Sequence, residues 1–595
     1  MPTRSRSPLA LQTLLVAAAL AATLAPVAAL TGADATPAGT RSPSAAPSAI
    51  HAGGFSDTHV FPGDYNTSGH FSQTLERGPH GISARETVFL ASEVDGASIQ
   101  LLLHRPLGMN GTRAPVILLA TPYYTSGPAQ GLTMGGRYDT LVENYVPHGY
   151  AVALAAVRGS GESGGCSDLG GPLERADLDQ AITWLGTRDW SNGNVGMTGL
   201  SYDGSTTWAA ASMGNPHLRT IVPVSGFPDQ YSLLYSNGTP ENRALGIHPT
   251  GYWPFGLLDA HRASLRDPTR PLGLAACPAV VAGTAASATA SLGFGRSEFF
   301  AQRDQRPGTE ASFAGSVFVV HGLKDWNVDP LAVYPWINDL ETRGVVVKHL
   351  LGQWDHLLPD RAGARMDYAE ILLRWFDYWL KEDVTRDLGP RAQVQDSSGR
   401  WRSEAAWPPR DTRPLVLHLT SDGKLATSPG DAEERRLVTF APRVVACSTC
   451  ATFRSDAQPR ELRFAGIPEL DLTVTPQGPG GAVFAELYLL RGALKTMVGH
   501  GSIDLRFAHG DETPREVRPG EPLDVRMWLQ PLDVVVPAGA ALQLEISQGP
   551  WTDPTDRLPT SASAPSELHV GGTTSVLTLR TFERDGSVFF HPPKR

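Results

Sequence analysis

Cysteine is scarce: Cys166, Cys277, Cys447 and Cys450 are the only four in 595 residues. That density excludes a small disulfide-stapled scaffold. The Cys447-Ser-Thr-Cys450 run lacks the second pair of a zinc site and the strand-then-helix setting of a redox motif. Basic charge is also short. Lys+Arg number 50 against 60 Asp+Glu, a formal net charge of −10, with no basic block. This argues against nucleic acid as the main partner. Past Leu24 no run approaches the roughly 18 apolar residues of a membrane span, so no membrane partner is expected for the mature chain. No His/Glu or Cys/His cluster has metal-ligand spacing. The Gly-rich loop Arg158 to Gly165 lacks the Lys-Ser/Thr ending of a phosphate loop. No cofactor and no metal are therefore expected.

What is present is ordinary globular material, 41% hydrophobic and 18% charged, enough for several domains. The N-terminus reads as an export signal over residues 1–35. Arg4 and Arg6 precede an apolar run from Leu9 to Leu24, and small residues offer cleavage after Ala29 or Ala35. A secreted protein, extracellular or periplasmic, is expected. Residues 36–54, rich in Pro, Ser, Ala and Thr, read as a disordered linker. Export permits two disulfides. Of three possible pairings, Cys447–Cys450 with Cys166–Cys277 is favoured.

From 55 to 388 the chain alternates short apolar runs with helical spacing, which predicts an α/β domain on a mostly parallel sheet. Strands are expected at Val116–Ala120, Tyr150–Val157, Ile221–Val224 and Val317–Val320, and helices at Leu173–Leu185, Ser205–Met213 and Asp367–Leu380. In the first of these helices Glu174, Asp177 and Asp179 fall largely off the apolar face. An aromatic, irregular insertion at about 226–308 reads as a helical lid. From 389 to 595, segments such as Glu469–Val474 and Ala541–Ile546 alternate with period two, which predicts a β-sandwich.

The chemical signal is Gly199-Leu-Ser201-Tyr-Asp-Gly204, a serine between a strand and a helix. A tight turn there lifts the hydroxyl above the sheet, and the helix start supplies N–H groups for a developing oxyanion. The serine needs a base. His356, in a loop before the closing helix, is in the right chain order. The acid should follow a strand. Asp325 does so, with Asp329 and Asp355 as rivals. Asp355 cannot readily fold back on its neighbour's ring, and Asp329, before Pro330, could cap a helix instead. Oxyanion donors are expected from the backbone of Tyr202 and from Thr121-Pro-Tyr123-Tyr124, where a tyrosine hydroxyl could serve.

Trp190-Ser-Asn-Gly-Asn-Val-Gly-Met197 with Gly-Leu-Ser-Tyr-Asp-Gly204 resembles the nucleophile region of the Xaa-Pro dipeptidyl-peptidase and cocaine-esterase-like serine hydrolases. So do Asp95-Gly96, Thr121-Pro-Tyr123, Val157-Arg-Gly-Ser-Gly161, the Glu174/Asp177 helix with Trp184, and Trp375 to Leu380. Phe464-Ala-Gly-Ile-Pro468 is similar to part of that group's C-terminal jelly roll. The resemblance implies an α/β-hydrolase fold, with Ser201 as nucleophile, Asp325 as acid and His356 as base. It implies oxyanion donors at Tyr123, through its hydroxyl, and at Tyr202, through its backbone. His321-Gly-Leu-Lys-Asp-Trp-Asn-Val328 looks more like the Xaa-Pro dipeptidyl-peptidase branch, as do Phe299-Phe300 and Arg303. That branch implies a secreted serine exopeptidase acting through an acyl-enzyme on peptides with penultimate proline. The alternative is an acyl-ester or amide hydrolase, with small acyl esters as substrates. Such a peptidase needs an acid for the substrate ammonium and an aromatic pocket for the proline ring. The insertion offers Asp229, Glu241, Asp259 and Glu298, with Tyr231, Trp253 and Phe255. A carbohydrate-binding role for the β-sandwich would use exposed Trp401, Trp407 and Trp551.

Overall fold

Runs of apolar residues with no polar interruption can form strands only where both faces are covered. Ala114–Thr121 and Ala151–Ala156 are buried at every position. The computed structural model describes residues 55, 75–124, 136–240, 295–430, 436–441, 449–510, 513–549, 565–582 and 589–590. The expected signal (1–35) and linker (36–54) lie outside them. No described helix is long and apolar enough to cross a membrane.

The first sheet is built from β1 (Glu86–Ala91), β2 (Ser98–His104), β3 (Ala114–Thr121), β4 (Ala151–Ala156), β5 (Ser191–Leu200), β6 (Leu218–Val224), β7 (Ser316–Gly322), β8 (Val347–Gly352), β9 (Ala392–Gln395) and β10 (Trp401–Glu404). Its spatial order is β1-β2-β4-β3-β5-β6-β7-β8-β9-β10, with Phe589–Phe590 at the far edge. From β4 to β9 neighbouring strands run parallel. The two ends are antiparallel.

Alternation along a strand sends side chains to opposite faces. In β3, Val116, Leu118 and Ala120 enter one core, while Ile117 and Leu119 enter the other. The first core is closed by α2 (Pro172–Gly186) and α3 (Tyr202–Ala211), through Leu178, Ile182, Leu185 and Trp208. The second is closed by α1 (Gly136–Tyr145) and α5 (Tyr368–Leu380), through Val142, Tyr145, Ile371, Trp375 and Phe376. Trp375 is fully buried, and its indole N–H donates to Thr220 Oγ1 at 2.8 Å. Burial of such a side chain contributes about 1.5–3 kcal/mol.

Two expectations about exposure need correction. Glu174 and Asp177 do not lie off the buried face of α2: they are 1% and 4% exposed. They are held inside by polar partners that helical periodicity cannot reveal. Asp177 accepts from Arg158 Nε at 2.8 Å and from Ser92 Oγ at 2.6 Å. Trp401 and Trp407 are each 1% exposed and are core residues, so neither can form a glycan platform. Trp551 lies outside the described residues.

The remainder of the chain is mostly β. A nine-stranded sheet includes Arg413–Leu419, Glu469–Pro476, Ser566–Val570 and Val576–Thr581. A four-stranded sheet holds Ala451–Arg454, Ala541–Ser547, Ala482–Arg491 and Leu494–Asp504. Leu417 and Leu472 of the first share one core with Leu487 and Leu544 of the second, as in a sandwich. The chain does not leave the first sheet at the expected boundary of 388/389. β9 and β10 extend that sheet to Glu404, and Phe589–Phe590 pairs with β10. Cys166 and Cys450 are each disulfide-bonded. Cys277 and Cys447 lie outside the described residues.

Candidate active site

Ser201 is the single residue between β5 and α3. Its φ is +67° and its ψ −128°, strained for a residue with a side chain. The turn is held by the Ser201 N–H bond to Val224 O at 3.0 Å. It is also held by glycines with no room for a Cβ. At Gly204 a Cβ would sit 2.7 Å from Val224 O, and at Gly226 2.5 Å from Gly204 C. This close approach of α3 to the end of β6 explains why the second glycine of the motif stands three residues after the serine. As N-cap, Ser201 makes no capping hydrogen bond with its side chain.

β6, β7 and β8 follow in order across the sheet, and the loops after β7 and β8 carry Asp325 and His356. Oδ2 of Asp325 lies 2.8 Å from His356 Nδ1. Oδ1 accepts the N–H groups of Asn327 (3.1 Å) and Val328 (2.9 Å). Asp325 is fully buried. Burial alone would raise its pKa, but the hydrogen bond and charge interaction with His356, with His321 and Ser225 adding, hold it below the ordinary carboxylate range. A carboxylate on Nδ1 fixes the tautomer with its lone pair on Nε2. That Nε2 is buried and has no hydrogen-bond partner among the described residues. Of the rival acids, Asp355 is exposed, and Asp329 is buried at the start of a short helical turn, 3.9 Å from His500 Nε2.

The rings of Tyr123 and Tyr202 meet edge to face, with centroids 6.4 Å apart. Tyr202 is the first residue of α3, at the helix end whose N–H groups point outward and carry the positive end of the dipole. Its phenol points into the protein and donates to Glu174 Oε2 at 2.9 Å.

The insertion residues fare differently. Asp229 is buried. Its carboxylate caps α4 (Gln230–Leu234) at the N–H groups of Tyr231 and Ser232 and pairs with Arg296 (2.9 Å) and Arg306 (3.1 Å). It is committed to structure. Glu298 is exposed and accepts from Gln302. Tyr231 stacks on Tyr235, centroids 5.2 Å apart, against Phe300. Glu241, Asp259, Trp253 and Phe255, with most of the expected lid, lie outside the described residues.

Residues to which the sequence assigned no role also reach this region. His321 Nε2 bonds Val328 O at 2.8 Å and so closes the loop that carries Asp325. From the C-terminal β part, His500 packs edge-on against Trp326 with centroids 5.4 Å apart, and Gln530 Oε1 accepts the N–H of Leu331 at 3.0 Å. No local pattern marks these two, because their contacts join positions about 170 and 200 residues apart. Among the described residues no group of His, Cys, Asp and Glu could hold a metal ion.

Residues 95–358 match the family model for the X-Pro dipeptidyl-peptidases (S15 family), and residues 383–573 match that for the X-Pro dipeptidyl-peptidase C-terminal non-catalytic domain. The chain belongs to the X-Pro dipeptidyl-peptidase family. It is a hydrolase of the serine peptidase type. A Bacillus anthracis protein named "Putative Xaa-Pro dipeptidyl-peptidase" is 26% identical over 506 residues, 76% of this chain and 81% of that one. The fold resembles that of an aminopeptidase from a marine sediment Thaumarchaeota archaeon, with TM-score 0.67, 16% identity, and coverage of 88% of this chain and 99% of that one. It also resembles a CocE/NonD family hydrolase from Staphylococcus aureus, with TM-score 0.66, 18% identity, and coverage of 84% and 94%. These likenesses place this family member in the α/β-hydrolase fold with a mostly β C-terminal domain.

Proposed function

We propose that this chain releases Xaa-Pro dipeptides from the free N-termini of peptides. The observation that carries the reading is the contact of buried Asp325 with His356 Nδ1, which leaves Nε2 as a base at the sheet edge that presents Ser201. Ser201 Oγ attacks the prolyl carbonyl carbon, and its proton passes to His356 Nε2. The oxyanion is stabilised by the Tyr202 N–H and the Tyr123 hydroxyl. Collapse breaks the C–N bond, His356 returns the proton to the leaving amine, and water hydrolyses the acyl-enzyme by the same route. Proline specificity is supported by the family models and the name of the Bacillus anthracis relative. Export is supported by the N-terminal pattern and by disulfide-bonded cysteines, which persist in oxidising compartments.

The test is hydrolysis of a Gly-Pro p-nitroanilide, its N-acetylated form and a p-nitrophenyl ester by wild type and Ser201→Ala. Cleavage of the free anilide alone among the two anilides, lost in the variant, is expected. Cleavage of the ester only, still dependent on Ser201, would replace the peptidase reading with the esterase one. Activity retained by Ser201→Ala would overturn both.

A further inference from the structure

Glu174 sits in the first turn of α2 directly behind the oxyanion site, and nothing in the mechanism above uses it. Its Oε2 accepts from the Tyr202 phenol at 2.9 Å and from the Gly170 N–H at 3.2 Å. Its Oε1 is buried with no hydrogen-bond partner among the described residues. An ionised carboxylate would need donors on both oxygens, and here one has none. The charged groups nearby are directed elsewhere. Arg158 is spent on Asp177 (2.8 Å) and Asp95 (3.0 Å). Arg303 donates to the carbonyls of Asp168 (2.8 Å) and Phe299 (2.7 Å). Asp168, which accepts the N–H groups of Leu173 (2.7 Å) and Glu174 (3.1 Å), puts a second acid beside the first.

We propose that Glu174 is a positioning residue for the oxyanion site: as a neutral acid it anchors the Tyr202 phenol and thereby fixes the Ser201–Tyr202 peptide whose N–H faces the developing charge. This rests on the reading of Ser201 as nucleophile and of the Tyr202 backbone as oxyanion donor. Burial, reinforced by the Asp168 carboxylate, pushes the Glu174 carboxyl up to about 8, against the opposing pull of Tyr202, Gly170 and Arg158. Tyr202 itself is pushed well above its ordinary value by burial and by Glu174, so it remains the donor. As pH rises through about 8, Glu174 loses its proton, and a buried negative charge forms behind a site that must stabilise another. Turnover then falls, and the loss is read in kcat.

The experiment measures kcat and KM from pH 6 to 10 for the full-length wild type, Glu174→Gln, Tyr202→Phe and Ser201→Ala. The substrate is the Gly-Pro anilide, or the p-nitrophenyl ester if only that is cleaved. In the wild type kcat at pH 9.5 is expected to be about tenfold or more below its value at pH 7, whereas any rise in KM from loss of the substrate's own ammonium should be shared by Glu174→Gln. In Glu174→Gln, which holds the neutral shape at every pH, that ratio should approach one. Tyr202→Phe should lower kcat on the order of tenfold at neutral pH with KM unchanged. A wild-type alkaline limb that persists in Glu174→Gln, or a wild type with no such limb, overturns the proposal, as does a Tyr202→Phe effect confined to KM. Activity surviving in Ser201→Ala would instead overturn the reading on which it rests.

Discussion

At the residue scale the arrangement turns on one carboxylate with several duties. Asp325 orients His356, closes its own loop through two backbone N–H groups, and lies 3.8 Å from the buried His321. Burial pushes His321 down, so its ring stays neutral and its Nε2–H can serve Val328 O. Asp325→Asn keeps the shape but would present an amide N–H to Nδ1 and select the wrong tautomer. Its kcat should fall by about 10⁴-fold in steady-state assays, and a loss below tenfold would contradict the assignment. The same carboxyl is held low, so the stability it contributes is present above the ordinary carboxylate range. That contribution is lost as pH falls through the depressed value. Urea unfolding at falling pH should therefore show wild type losing more stability than Asp325→Asn.

At the element scale the decisive contact is the packing of α3 onto the end of β6 through Gly204 and Gly226. Gly204→Ala would drive a methyl to 2.7 Å from Val224 O and 2.9 Å from Gly199 O, both backbone atoms that cannot swing aside. The expected cost is about 1–3 kcal/mol in denaturant unfolding, with a larger proportional loss of kcat because Ser201 moves with the turn. Unchanged stability and activity would rule this packing out. The strands that carry the site were legible because residues such as Val116–Ala120 and Val317–Val320 are apolar without interruption. The elbow was legible because its serine and glycines are adjacent in the chain. Glu174 and Asp177 were misread for a physical reason. Periodicity scores a carboxylate as surface, whereas Arg158 and Ser92 satisfy Asp177 inside and Tyr202 holds one oxygen of Glu174, all from other segments of the chain. Trp401 and Trp407 were open to a similar error, since a tryptophan in a polar stretch says nothing of what covers it. Asp229 could be named as acidic, but its ion pairs with Arg296 and Arg306 depend on how distant segments meet.

At the scale of the whole molecule the two parts are joined by buried polar contacts. Arg402 of β10 makes two bonds to Asp533 (2.9 and 2.6 Å) and one to Glu404 (2.7 Å), and the Trp407 indole N–H also reaches Asp533 at 3.3 Å. Removing one partner strands a charge out of water, so Asp533→Ala should cost about 3–5 kcal/mol in denaturant unfolding; a cost near zero would mean the pair is solvated. The hairpin at Tyr235–Pro240 leans on the same domain, with Asn237 Nδ2 on Ser502 O at 3.1 Å and no room for a Cβ at Gly238 beside Phe507. With His500 against Trp326, the C-terminal sheets thus support both the base of the insertion and the loop of Asp325. The pairing of Phe589–Phe590 with β10 adds a mechanical consequence. The β-sandwich is fastened to the first sheet at both of its ends, like a handle riveted twice. It cannot swivel about one strap, and a protease that nicks the stretch between Glu404 and Arg413 leaves two fragments still clasped together.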